Sequence, residues 1–218
     1  MKLFISVLLL FFSISYCAGQ VYKNIDYGYI NASWTYINEG FKIQFTLPKD
    51  WHFFDASKNQ YVKVGSDIKN IPAYTRSFQV PMANFKKSNS DRIATLFEVS
   101  KIGSKEIFQK QPFDDKADKT ITVGVVYSEN PDVYSFLRST CLRCTDQSFK
   151  EIYLKSTKLG NIVFEGYITG VTDNKGNKMG HFFGARRMGN IYLICQYNFP
   201  DLEAFESYKE FFKTLALK

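Results

Sequence analysis

The segment Ile162–Phe199, IVFEGYITGVTDNKGNKMGHFFGARRMGNIYLICQYNF, decides how this chain folds. β-Branched and aromatic residues fill it, and two turn signals divide it, Asp173-Asn174-Lys175-Gly176-Asn177 and the tighter Gly189-Asn190. With the preceding Phe149–Thr157 it reads as a four-strand antiparallel meander: Phe149–Thr157, Ile162–Val171, Met179–Arg187 and Ile191–Phe199. A two-residue turn at Gly189-Asn190 sets Cys195 opposite Gly184 and His181 opposite Asn198. Alternate residues point to opposite faces of a sheet, so His181 and Cys195 are predicted to face apart.

Working outward, Pro200-Asp201 opens a predicted terminal helix. Its Leu202, Phe205, Tyr208, Phe212 and Leu215 step by three and four, giving one apolar stripe to lay on the sheet. On the N-terminal side, Thr120–Tyr127 (TITVGVVY) and Ala94–Ile102 (ATLFEVSKI) read as strands. A helix is predicted after the first of these, with Asn130 as N-cap, Pro131 at its first position, and Val133, Phe136, Leu137 and Thr140 on one face. Phe41–Leu47 alternates apolar and polar residues and ends at Pro48, a half-buried strand. The turn Asn38-Glu39-Gly40 joins it to a partner near Ala32–Ile37. Residues 52–90 are expected to form long loops with one short helix or strand.

The first residues carry a different signal. Met1-Lys2 is followed by the apolar Leu3–Ser15 and then by Tyr16-Cys17-Ala18-Gly19-Gln20, the layout of a secretory signal peptide. The apolar run is about 13 residues, against about 20 for a membrane-spanning helix. Three fates are open: cleavage after Gly19, exposing Gln20; lipidation of Cys17, for which Ile14-Ser15-Tyr16-Cys17 has the apolar-small-x-Cys outline, with a bulky Tyr16 where a small residue is usual; and an uncleaved membrane anchor. The chain therefore divides into a signal peptide at 1–19 and one domain at 20–218. Its expected location is outside the cytoplasm, periplasmic or secreted, or lipid-anchored to a membrane.

Phe and Tyr are abundant, at 21 and 14, and at strand spacing they are first of all core and cross-strand partners. The formal charge of +7 is scattered over Lys86-Lys87, over Lys150, Lys155 and Lys158, and over Arg186-Arg187. Without a basic run or an RNA-binding aromatic signature, and with export, nucleic acid is excluded as a partner. A weak attraction to an anionic membrane or polysaccharide surface remains.

Gly40-Phe41-Lys42-Ile43-Gln44-Phe45-Thr46-Leu47-Pro48-Lys49-Asp50-Trp51, followed by the late meander and the amphipathic C-terminal helix, resembles the PsbP-like family. The resemblance implies an α+β fold, an α/β/α sandwich with a mainly antiparallel sheet. It also implies a non-catalytic binding or assembly scaffold, and it supplies no catalytic motif that maps onto residues here.

Cys141-Leu142-Arg143-Cys144 is the motif with most chemistry, as a structural disulfide or a redox pair with Arg138 and Arg143 favouring the thiolate. A redox pair stands at a helix N-terminus, whereas the predicted helix begins about ten residues earlier. Cys195, alternating with Leu193 and Tyr197, reads as a buried small hydrophobe, so Cys141, Cys144, Cys195 and a histidine make no expected zinc set. Asp114, Asp115 and Asp118 lack the spacing of a calcium loop, and His52 beside Trp51 reads as a loop or edge residue. Asn31-Ala32-Ser33 matches the N-glycosylation pattern.

The expectation is thus no enzyme, no cofactor and no metal. The reading is an exported binding or accessory module of the cell envelope, docking an envelope protein through a sheet face or a loop-rich edge. Its alternatives are a thiol-disulfide oxidoreductase using Cys141 and Cys144, and a small-ligand or lipid carrier with an aromatic pocket between the sheet and the terminal helix.

Overall fold

Alternating burial organises this fold from its first strands. From Phe41 to Leu47 every second side chain is buried, Phe41, Ile43, Phe45 and Leu47, while those between are exposed or half-buried. The computed structural model describes residues 21–49, 51–55, 60–66, 79–84, 93–100, 120–141, 152–172, 178–199 and 204–218. In chain order the strands are β1 Asn24–Asp26, β2 Tyr29–Ile30, β3 Thr35–Asn38, β4 Ile43–Thr46, β5 His52–Asp55, β6 Gln60–Lys63 and β7 Gln79–Pro81. They continue with β8 Ala94–Ser100, β9 Thr120–Tyr127, β10 Ile152–Leu159, β11 Ile162–Thr172, β12 Lys178–Met188, β13 Ile191–Phe199 and β14 Ala216–Leu217. Helix α1 spans Val133–Cys141, and α2, Ala204–Lys209, runs into a 3-10 turn at Glu210–Phe212.

Eight strands form one antiparallel sheet in the order β10-β11-β12-β13-β9-β8-β5-β6. A four-stranded sheet, β14-β4-β3-β2, and the pair β1-β7 complete the pairing. The expected register at Gly189-Asn190 is present: Met188 pairs with Ile191, Gly184 with Cys195, and His181 with Asn198. Gly189 adopts φ +61° there, as the first position of such a turn requires.

The large sheet buries both faces in different ways. Phe53, Phe97, Val123, Phe164, Phe182, Leu193, Cys195, Tyr197 and Phe199 point inward to a core shared with the small sheet's Tyr36, Phe41, Ile43 and Phe45 and with Phe205, Phe212 and Leu215. Phe45 stacks on Phe97 at 5.1 Å, joining the two sheets, and Tyr197 stacks on Phe205 at 5.8 Å. The outer face carries Val126, Tyr167, Phe183, Ala185, Tyr192 and Ile194, on which α1 lays Phe136 and Leu137.

This corrects the α/β/α expectation. The described fold is β-rich: the layer against the inner face is a second sheet and a short helical segment, while α1 covers part of the outer face. From Ala204 onward a short helix, a 3-10 turn and a strand stand where one terminal helix is predicted. After α2 the chain tightens into 3-10 geometry, with Lys213 N donating to Glu210 O at 3.2 Å and Leu215 N to Phe212 O at 2.7 Å. Thr214 Oγ1 then donates to Thr46 O at 3.0 Å and accepts from Thr46 N at 3.2 Å, drawing the chain out as β14 beside β4. Residues 52–90, expected to be mostly loop, contribute β5, β6 and β7.

A buried polar knot fixes the N-terminal turns. Asp26 accepts from Gly28 N at 2.8 Å and Gly40 N at 2.9 Å, while Asn38 donates to Asp26 O at 2.7 Å and accepts from Phe41 N at 2.8 Å. Asp26→Ala would leave two amide donors without their carboxylate. A loss of about 2 kcal/mol is expected in chemical denaturation, and a change within error of zero would show that water replaces it.

Candidate functional site

The site with the strongest binding chemistry lies on the outer face of the large sheet, beside α1. Asp132 caps the helix: its Oδ2 accepts from Ser135 N at 2.9 Å and from Ser135 Oγ at 2.5 Å, and these bonds hold its carboxyl below the usual carboxylate range. The cap is thus two residues later than the predicted Asn130, whose Oδ1 instead accepts from Asp132 N at 3.0 Å. Along the helix Tyr134 and Arg138, four residues apart, lie to one side while Phe136 and Leu137 face the sheet.

Tyr134 is 40 % exposed, and its ring stands edge-on to Tyr153 of β10 at 5.0 Å and 88°. Tyr153 in turn lies 5.0 Å from Tyr167 of β11, its direct cross-strand partner. The Tyr153 hydroxyl donates to Glu165 Oε2 at 2.5 Å, and desolvation followed by that bond raises its pKa. Arg138 sits against the Tyr167 and Tyr134 hydroxyls, which raise the guanidinium's pKa. Along β11 the same face presents Val163, 42 % exposed, opposite the exposed Lys158. The result is an aromatic platform flanked by cations, with the Glu165 carboxylate engaged by Tyr153.

A second feature, not anticipated from sequence, is a row of polar residues across the outer face at the other end of these strands. Thr169 pairs with His181, His181 with Asn198, and one step beyond the Tyr197–Ile121 pair Asn198 meets Thr120. Thr120 pairs with Ser100, and Ser100 with His52. His181 Nδ1 bonds Asn198 Oδ1 at 2.6 Å, while Thr169 Oγ1 is buried with no hydrogen-bond partner among the described residues. Four strand spacings of about 4.8 Å separate the two imidazoles by about 19 Å, so they cannot share one metal ion.

Burial lowers the His181 pKa from its ordinary 6.5, opposed by the bond to Asn198. A folded pKa below the unfolded one means that the unfolded chain binds the extra proton. The stabilisation is full above about pH 6.5 and is lost as pH falls toward the lower folded pKa, with a slope of at most about 1.4 kcal/mol per pH unit. His181→Gln is expected to flatten stability against pH in that window; parallel wild-type and variant curves would show that His181 does not titrate on unfolding.

Cys141 is the last residue of α1, the end opposite to the one that activates a redox thiol; Cys144 and Cys17 lie outside the described residues, as do Asp114, Asp115 and Asp118. Cys195 is buried on the inner face, away from His181, and burial pushes its thiol pKa well up. Asn31 sits in a turn where its Oδ1 accepts from Ser33 N and Thr35 N, each at 3.0 Å. The aromatic space between the sheet and the C-terminal segment is filled by Phe182, Tyr197, Phe199, Phe205 and Phe212, packed ring against ring.

Set beside known proteins, the chain matches no protein-family profile and no curated protein sequence.

Proposed function

We propose that this chain is an exported, non-catalytic binding or accessory module of the cell envelope, docking a protein partner through the outer-face platform beside α1. The observation that carries the reading is Tyr134, exposed and edge-on to Tyr153 with Arg138 alongside. Tyrosine and arginine are the residues that dominate protein–protein hot spots, where rigid rings bury area at low entropic cost. Export rests on the 1–19 segment.

Charge selects the partner's chemistry. Arg138 and Lys158 are exposed around the rings, Asp132 is engaged in the helix cap, and Glu165 is bonded to Tyr153. The platform fits an acidic segment of a protein, with steering that weakens as salt rises.

A photo-crosslinker at position 134, introduced in the native host, tests this against the same probe at Val21. The expected result is an adduct to one envelope protein from position 134 only. Arg138→Glu should abolish it, and Tyr134→Ala should weaken affinity for that partner at least about tenfold. Binding to anionic vesicles or polysaccharide that Tyr134→Ala leaves unchanged, with no protein adduct, would overturn the reading.

A further inference from the structure

A cavity of about 230 Å³ opens where the end of β9 meets the far side of α1. Its walls include Tyr127, Ser128, Glu129, Ser139 and Thr140, with Phe136 as an apolar surface. The protons of these hydroxyls are largely committed elsewhere. Ser139 Oγ donates to Phe136 O at 2.8 Å and Thr140 Oγ1 donates to the same carbonyl at 2.9 Å. Tyr127 donates to Glu129 Oε1 at 2.5 Å. A backbone carbonyl or a carboxylate cannot donate, so the direction of each bond is fixed.

What these groups offer a guest is therefore lone pairs, with a carboxylate among them. Ser139 and Thr140 belong to the last turn of α1, where the helix dipole presents its negative end. Among the described residues, the side-chain donors remaining at the wall are the Ser128 hydroxyl and the Asn130 amide. Arg187 lies nearby without lining the cavity, and its guanidinium donates to Asn130 O and, at 3.3 Å, to the Tyr192 hydroxyl.

We propose that this cavity binds a primary ammonium group. Such a group carries three donors, no acceptor and one positive charge, the complement of the wall, and Phe136 takes the methylene stem behind it. The site shares no contact residue with the Tyr134 platform, so it stands or falls independently of the docking reading.

The test is amide chemical-shift titration of the isotope-labelled full chain in three arms. Nα-Acetyl-lysine methylamide mimics a peptide lysine, butylammonium a free amine, and the Nε-acetylated lysine derivative removes the charge. Shifts are expected at Ser128, Glu129, Ser139 and Thr140 with a dissociation constant on the order of 1 mM, weakened about tenfold by Glu129→Gln. Binding of the lysine compound alone assigns a peptide ligand, and binding of butylammonium assigns a site open to free amines. Shifts absent in both charged arms, equal shifts with the acetylated control, or undiminished binding in Glu129→Gln would each overturn the proposal.

Discussion

Gly160→Ala is expected to lower stability by about 3 kcal/mol or more, seen as a reduced urea midpoint. Gly160 begins the two-residue turn between β10 and β11 at φ +62°, in the left-handed region. An alanine there carries about 1–2 kcal/mol of backbone strain before any contact is considered. The contact is worse: a Cβ would stand 1.9 Å from Leu215 O and 2.6 Å from Phe212 O. Both obstacles are backbone carbonyls of the C-terminal segment, so no side-chain rotation relieves the clash, and the turn and that segment must separate. Three bonds then fail together: Asn161 N to Leu215 O at 3.0 Å, Asn161 Nδ2 to Leu217 O at 3.1 Å, and Leu217 N to Asn161 Oδ1 at 2.8 Å. Hydrogen exchange should show protection of the Leu217 amide lost in Gly160→Ala. Asn161→Ala removes the side-chain bonds without the clash and is expected to lose about 1–2 kcal/mol. Equal losses in the two variants would mean that the close approach of Gly160 is not what holds the C-terminus.

That tether explains why the end of the chain departs from the helix its periodicity predicts, while the meander follows its sequence pattern. In Ile162–Phe199 every local signal agreed: β-branched and aromatic residues, a Gly-Asn turn and one hydrophobic period, so strand bounds and the Gly184–Cys195 pairing followed. From Leu202 to Leu215 the apolar spacing fits a helix, yet Phe205, Phe212 and Leu215 are buried by a short helix, a 3-10 turn and a strand in succession. The deciding contacts, Thr214 with Thr46 and Asn161 with Leu217, join residues 168 and 56 positions apart. A periodicity window cannot sense such partners. The short strands β5–β7 were lost for the same reason. Each has three or four residues, too few for alternation to register; β5 and β7 exist through distant partners, Phe53 against Val99 and Ile25 against Val80, and β6 pairs with β5.

The site was legible only in its parts. Phe136 and Leu137 were expected on the buried face of the helix, and they pack there. Placing the cap at Asp132 rather than Asn130 does not move that face. The platform itself needs Tyr134 of α1, Tyr153 of β10 and Tyr167 of β11 in one place, which only the tertiary fold supplies. The signal that could have found it was present: within the predicted helix Tyr134 and Arg138 fall off the apolar face, and a large aromatic off that face is a candidate contact residue. The polar row had no comparable signal, because its members come from six strands.

Phe212→Ala is the second large effect, about 4 kcal/mol of destabilisation. Phe212 is fully buried in the 3-10 turn, 6.4 Å from Phe45 of the small sheet and 5.1 Å from Tyr197 of the large one, so one ring touches both layers. Its removal takes away buried aromatic area and leaves a void between two sheets that already meet through Phe45 on Phe97. Collapse into that void is resisted because the carbonyl of Phe212 accepts from Leu215 N at 2.7 Å and the next residues are bonded to β4 and Asn161. The adjacent Phe211, half-buried and 4.8 Å from Trp51, is the internal control. Phe211→Ala exposes little new core and is expected to lose about 1–2 kcal/mol. A double-mutant cycle between Phe212 and Phe45 should return a coupling of about 0.5–1.5 kcal/mol. If Phe211→Ala proves as damaging as Phe212→Ala, or the Phe45 cycle shows no coupling, the C-terminal segment is a cover over the core and not the wedge that joins its two sheets.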